Sequence, residues 1–154
     1  MNLSGEFTVK APRDAVFDAL ADARFFASCF DGVSHLTQTG EARYEAVLET
    51  NVAYMTFRFN LTVEMVRRAR PDAIEARIEG APIGLVGRLA ATSVTRLVED
   101  EDGTRIHYSI DSALTGRLGS LGQPVLKAKA REMEKQFAAR LCAAFEKAAP
   151  AEPR

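Results

Sequence analysis

The chain has 154 residues, 47% of them hydrophobic, with a net charge of −1. That length fits one domain with a sizeable core, and the near-neutral balance excludes the clustered Lys and Arg of a nucleic-acid-binding domain. No run of about 18 apolar residues is present to span a membrane, and Met1 to Lys10 lacks the basic start and apolar block of a secretory signal.

The first element is a strand over residues 3–10, where Leu3, Gly5, Phe7 and Val9 share one side. Ala11-Pro12-Arg13-Asp14 opens a helix. Pro12 suits the first helical turn, where its missing N–H would be unpaired anyway, and Asp14 complements the positive end of the helix dipole. Val16, Phe17 and Leu20 recur at helical spacing and are core candidates. A second short helix is expected over about 23–30, ending near Asp31-Gly32. Residues 33–39 and 42–51 read as a hairpin around Gly40. Residues 54–67 are the clearest strand: Met55, Phe57, Phe59, Leu61, Val63 and Met65 alternate with Thr56, Arg58, Asn60, Thr62 and Glu64. Alternation that long places one face in the core and the other in water. After the turn Arg70-Pro71-Asp72, the residues Ile74, Ala76 and Ile78 alternate with polar neighbours. Gly80 to Gly87 reads as a loop or bulged strand. Residues 88–99 and 104–115 form the last hairpin around Glu101-Asp102-Gly103.

The period then changes. Leu126, Ala130, Met133, Phe137, Leu141 and Ala144 recur every three or four residues, one stripe of an amphipathic helix about 25 residues long. Pro124 lies near its start, where proline is tolerated. Residues 148–154 hold two prolines and are expected to be a disordered tail, leaving a domain over 1–147. The order is strand, two short helices, six strands, long helix. The fold class is therefore α+β, with a curved antiparallel sheet of about seven strands wrapped around a long C-terminal helix. With no Trp and many small residues in the second half, that wrapping is expected to leave an interior cavity.

No catalytic apparatus stands out. His35 lies in a strand beside Val33 and Leu36, and His107 falls on the polar phase of its strand; neither has a partner at metal spacing. Glu99 to Asp102 is a solvated acidic turn, because a calcium loop needs alternating ligands and a distal Glu. The glycines of 80–87 do not precede a helix as a phosphate loop would. Cys29 and Cys142 are isolated and read as small buried hydrophobes. No metal and no cofactor is expected, and a cytoplasmic location follows by elimination. The remaining signal is apolar. Met55, Phe57, Phe59, Leu61, Tyr108, Met133 and Phe137 are each core candidates, and pockets are lined by the same side chains with a few polar groups. As a set they are the expected lining of a ligand cavity.

The layout resembles the START-like, helix-grip superfamily, also called the polyketide cyclase, SRPBCC or Bet v 1-like group. Within it the chain is similar to the G-subunit family of carbon monoxide dehydrogenase. The likeness is carried by Leu3-Ser4-Gly5-Glu6-Phe7, by Ala11 to Phe17, and by Cys29-Phe30-Asp31-Gly32 where that family often has Cys-Ile-Pro-Gly. Gly103-Thr104-Arg105 with Tyr108, the glycine-spaced segment Gly116 to Gly122, and Met133, Gln136 and Phe137 continue it. Asp31, Pro82 and Pro124 depart from the pattern, at loops that would border a cavity mouth. The resemblance implies a non-enzymatic accessory to a molybdenum-containing CO dehydrogenase-type enzyme, and a fold that encloses lipids, quinones or other apolar molecules. Some relatives of that family carry an apolar C-terminal anchor. Here only Ala149 to Arg154 follows the helix, so peripheral membrane contact is expected rather than a transmembrane anchor.

Three functions follow. The first is a carrier for an apolar, lipid- or quinone-like ligand. The second is a protein-docking or maturation factor for a multisubunit dehydrogenase, without a ligand. The third is a cyclase or hydrolase of the same fold, for which Tyr44, Tyr54, Tyr108, Arg88 and His35 would have to converge inside. Phe30, Gly84, Gly87, Gly119 and Gly122 mark the expected cavity entrance, where glycines would allow loop movement.

Overall fold

The computed structural model describes residues 1–148. Seven strands run in chain order: β1 (Asn2–Val9), β2 (Val33–Gly40), β3 (Arg43–Val52), β4 (Met55–Ala69), β5 (Ala73–Pro82), β6 (Gly87–Asp100) and β7 (Gly103–Thr115). The helices are α1 (Arg13–Ala21), α2 (Ala23–Ser28), α3 (Gly116–Gly119) and α4 (Gln123–Ala148). The strands form one antiparallel sheet in the order β1-β7-β6-β5-β4-β3-β2. From β2 to β7 each strand pairs with the next, so short turns suffice. β1 instead pairs with β7, with Phe7 opposite Ile106. The chain must therefore travel from one sheet edge to the other between β1 and β2, and α1 and α2 carry it.

Local sequence sets these elements. Pro12 is the N-cap of α1 with extended backbone (φ −63°, ψ 150°), one residue earlier than the first-turn position expected for it. Asp22 caps α2: its carboxylate accepts from the backbone N–H groups of Arg24 (3.0 Å) and Phe25 (3.2 Å). The alternation of β4 holds through Met65 and the exposed, outward Val66, and a register shift against β5 falls between Met65 and Arg67. β5 runs through Gly80 to Pro82, so only residues 83–86 of the glycine-bearing stretch are loop. α3 is an element that periodicity did not predict. Thr104, fully buried, is satisfied by donating its hydroxyl to the Ala11 carbonyl at 2.8 Å, which ties the last hairpin to the start of α1. The tail expected over 148–154 lies, from 149 onward, outside the described residues.

The buried side chains form two clusters rather than one continuous core. The first joins Val9, Val16, Phe17, Leu20, Ile74, Leu97, Ile106 and Leu141. The second joins Val52, Phe57, Phe59, Leu118 and Leu126. α4 bridges them. Leu126 near its N-terminal end and Leu141 near its C-terminal end are 15 residues apart, about 22 Å along the helix axis at 1.5 Å per residue. Each end of α4 is thus sealed against the sheet by apolar burial. The length between them is not.

Candidate functional site

Between the two clusters lies a span of inner sheet face that is only partly covered. Val63 and Met65 on β4, Ala76 and Ile78 on β5, Ser93 on β6 and Ile110 on β7 all share the phase that buries Phe57, Ile74, Leu97 and Ile106, yet none is fully buried. On α4, Ala130 and Met133 are also half-buried. These half-buried residues, which belong to neither cluster, mark the candidate groove.

The residues expected to line a ligand cavity fall in three places. Phe57 and Phe59 are buried within the second cluster, stacked with ring centroids 6.0 Å apart, and Met55 and Leu61 pack against them. Met133 is half-buried on α4 and belongs to neither cluster. Phe137 lies at the edge of the first cluster, in an aromatic group with Phe7 (6.2 Å), Phe26 (5.1 Å) and Phe30 (5.3 Å, nearly parallel). Tyr108 meets Phe7 edge-on at 6.5 Å, and its hydroxyl is buried with no hydrogen-bond partner.

Beside that hydroxyl is a group the sequence reading missed. The Glu134 carboxylate sits on α4 next to Tyr108, ion-paired to Arg131 at 2.9 Å, and burial pushes its pKa up. A Cβ on Gly5 would meet the Tyr108 hydroxyl at 2.5 Å and a Glu134 carboxylate oxygen at 2.6 Å. Glycine at that inward-phase position of β1 is what admits both polar groups. It was the available signal: a strand glycine marks a close approach.

Apart from that span, α2 and the chain that follows it border open pockets. Two adjoining pockets, of about 190 and 310 Å³, share Arg24 and Leu36 as walls. Tyr44 lines the smaller; Phe30, Val33 and His35 line the larger. Of the expected entrance residues, Phe30 lines the larger pocket. Gly84, Gly87, Gly119 and Gly122 line neither and lie around the β5–β6 loop and α3.

Phe30 is held in place by its neighbour. The Asp31 carboxylate accepts from Arg140 (2.7 Å) and Gln136 (2.8 Å), and its backbone N–H donates to the Gln136 side-chain oxygen (3.0 Å). Three hydrogen bonds therefore fasten the α2–β2 segment to α4, one residue from the Phe30–Phe137 stack. Asp31, which departs from the resembling family's proline, makes this contact. The hydrogen bond from Arg140 holds the Asp31 carboxyl below the usual carboxylate range. A depressed pKa in the folded state means the contact contributes above the unfolded value, about 4, and is lost as pH falls through the folded value. Acidification below the ordinary carboxylate range, through the lowered folded value, is expected to release this segment. The near-UV circular dichroism of the aromatic group should fall before the far-UV signal does, and Asp31→Ala should remove that early step.

The five polar groups considered for catalysis do not converge. Tyr54 is 95% exposed on the β3–β4 turn. Arg88 is exposed and faces Glu79 at 3.7 Å. His35 is an exposed positive-φ residue on β2 bonded to the adjacent Ser34 hydroxyl. Tyr44 and Tyr108 are half-buried on strands far apart in the sheet order. His107 lies 3.4 Å from the Glu6 carboxylate, half-exposed. Cys29 is buried, Cys142 half-buried, both are free, and burial pushes both thiols up. Among the described residues no three His, Cys, Asp or Glu side chains are grouped to hold a metal, and no helix is long and apolar enough to cross a membrane.

Known proteins place this geometry. A conserved protein of Geobacillus kaustophilus superposes with a TM-score of 0.87 at 21% identity, over 96% of each chain. A START superfamily protein of Mycobacterium smegmatis gives 0.72 at 12% identity, over 95% of this chain and 97% of that one. The ZhuI aromatase/cyclase of Streptomyces sp. R1128 gives 0.70 at 17% identity, over 96% of this chain and 94% of that one. At those identities the likeness establishes the START-like fold and not an activity. No curated protein is detectably similar in sequence. Residues 5–145 match the sequence profile of the carbon monoxide dehydrogenase G-subunit (CoxG), and the chain belongs to that family.

Proposed function

We propose that the chain is a non-catalytic carrier that holds a lipid- or quinone-like molecule between the sheet and α4, as an accessory to a CO dehydrogenase-type enzyme. The observation that carries this reading is the break in the core: α4 is sealed at Leu126 and Leu141 and leaves apolar side chains half-covered between them. Covering such a surface stabilises any apolar guest by about 25 cal/mol per Å² removed from water. The guest would enter past Phe30 and lie along Met133, with Tyr108 and Glu134 as polar groups at one flank. Family membership supports the accessory role. The scatter of Tyr44, Tyr54, Tyr108, Arg88 and His35 weighs against a cyclase or hydrolase.

Native mass spectrometry on protein purified without detergent, followed by organic extraction, tests the proposal. The expected result is a discrete added mass that extracts as a single apolar compound and is diminished in Met133→Ala. A bare chain at its sequence mass would defeat the carrier reading. It would leave the docking or maturation role, tested by co-purification with the dehydrogenase.

A further inference from the structure

The polar pair over Gly5 stands out from the apolar surface around it. Gly5 on β1 and Tyr108 on β7 are register partners, one step along the inward phase from Phe7 and Ile106. Glu134 meets them from α4. It lies within the apolar stripe of that helix, four residues after Ala130 and three before Phe137. A carboxylate in that position gives up hydration that an apolar side chain would not, so packing alone does not account for it.

The two oxygens of Glu134 are not equivalent. Oε1 accepts from Arg131 at 2.9 Å, and the same guanidinium nitrogen donates to the Ser4 carbonyl on β1 at 3.4 Å. Oε2 is the oxygen over Gly5, 2.6 Å from where a Cβ would stand, and the Tyr108 hydroxyl is 2.5 Å from the same point. The two oxygens therefore converge, yet the hydroxyl is buried without a hydrogen-bond partner. Leaving a buried hydroxyl unpaired costs free energy that a partner would recover. One oxygen atom at about 2.7 Å from both Tyr108 Oη and Glu134 Oε2 would supply that partner. Glu134 is the flexible member of the pair, and a turn of its side chain about its own torsions admits such an atom.

We propose that Glu134 and Tyr108 form a recognition site for one neutral hydroxyl group, so that the guest held beside α4 is an apolar alcohol or phenol rather than an ether, a ketone or an acid. This inference rests on the carrier reading and specifies its guest. A hydroxyl both donates and accepts. Its O–H donates to Glu134 Oε2 while its oxygen accepts from the Tyr108 hydroxyl, which satisfies both groups at once. Arg131, at 2.9 Å, favours the charged form of the carboxylate, so Oε2 only accepts. An ether or a ketone has no hydrogen to give it. A carboxylate or phosphate on the guest would set a second negative charge against it. Hydrogen bonds to an ionised group are roughly twice as strong as neutral ones, so Glu134 supplies most of the discrimination.

Titration calorimetry of the full chain with 2-naphthol, 2-methoxynaphthalene and 2-naphthoate near neutral pH tests this. Wild type should bind 2-naphthol about tenfold or more tighter than 2-methoxynaphthalene, and 2-naphthoate more weakly than either. Glu134→Gln should bind the naphthol and its methyl ether alike. There Arg131 keeps the amide oxygen, and an N–H group replaces the accepting Oε2. Tyr108→Phe should also weaken 2-naphthol binding. Its thermal midpoint should not fall below wild type, because the hydroxyl has no partner to lose in the empty protein. Equal affinity of wild type for 2-naphthol and 2-methoxynaphthalene would overturn the proposal and leave the carrier reading standing. So would a naphthol preference that survives Glu134→Gln. A lowered midpoint in Tyr108→Phe would show that the hydroxyl already donates to Glu134, as a structural tie between β7 and α4, and would overturn it too. Binding of none of the three probes would defeat the carrier reading itself, and this inference with it.

Discussion

Phe57→Ala is expected to lower the free energy of unfolding by about 3–5 kcal/mol, a large share of the 5–15 kcal/mol that a domain has. Phe57 is 1% exposed, stacks on Phe59, and sits in the cluster that seals the N-terminal end of α4 with Val52, Leu118 and Leu126. Removing the ring forfeits its transfer free energy and leaves a void that strands on one side and a helix on the other cannot both close. Urea unfolding followed by circular dichroism measures it. Met133→Ala is the comparison. Met133 is half-buried and outside both clusters, so its truncation should cost clearly less stability; if the proposed guest lies along it, the change also removes an apolar contact. A loss below about 1 kcal/mol for Phe57→Ala would show instead that its ring borders space that can be vacated, and would return it to the ligand surface.

That contrast marks the limit of what was legible in the sequence. The alternation from Met55 to Met65 and the stripe from Leu126 to Ala144 each report, within one continuous segment, which side of an element is buried. Seven strands, two early helices and the long final helix follow from signals of that kind. α3 did not, because four residues with a glycine at each end carry no period. The site was harder for a related reason. Phe57, Tyr108, Met133 and Phe137 all lie on inward phases, and periodicity assigns them the same status. Which of them seals a core and which borders a gap depends on where α4 crosses the sheet, and that crossing is set by contacts among residues tens of positions apart. The Asp31 contact shows the same dependence: its partners Gln136 and Arg140 lie 105 and 109 residues downstream. Asp31 stood out only as a departure from the resembling family's proline. Glu134 looked like one more charge on a helix until Gly5 and Tyr108 were brought beneath it.

Gly32→Ala is expected to cost about 2–3 kcal/mol and to act at the flank of the groove rather than throughout the molecule. Gly32 has φ +85°, in the left-handed region where a Cβ is strained, and that Cβ would fall inside van der Waals contact of the Glu49 carbonyl oxygen. The same peptide carries a pairing bond, since the Glu49 N–H donates to the Gly32 carbonyl at 2.9 Å. To admit a methyl group, the chain after α2 must move away from β3. That strains Asp31, fastened to Gln136 and Arg140, and Phe30, stacked on Phe137. Amide hydrogen exchange should therefore quicken over residues 30–36 and 47–49, with β6 and β7 unchanged, because local opening at a sheet edge needs far less free energy than global unfolding. Gly32→Asn separates the two causes. Asn tolerates positive φ better than Ala, yet it carries the same Cβ. If backbone torsion dominates, Asn should be the milder change; if the clash with the Glu49 carbonyl dominates, the two should cost the same. Stability and exchange both at wild-type values in Gly32→Ala would mean that this turn does not hold the α2–β2 segment against β3, and that the segment beside the groove is fixed by the Asp31 contacts alone.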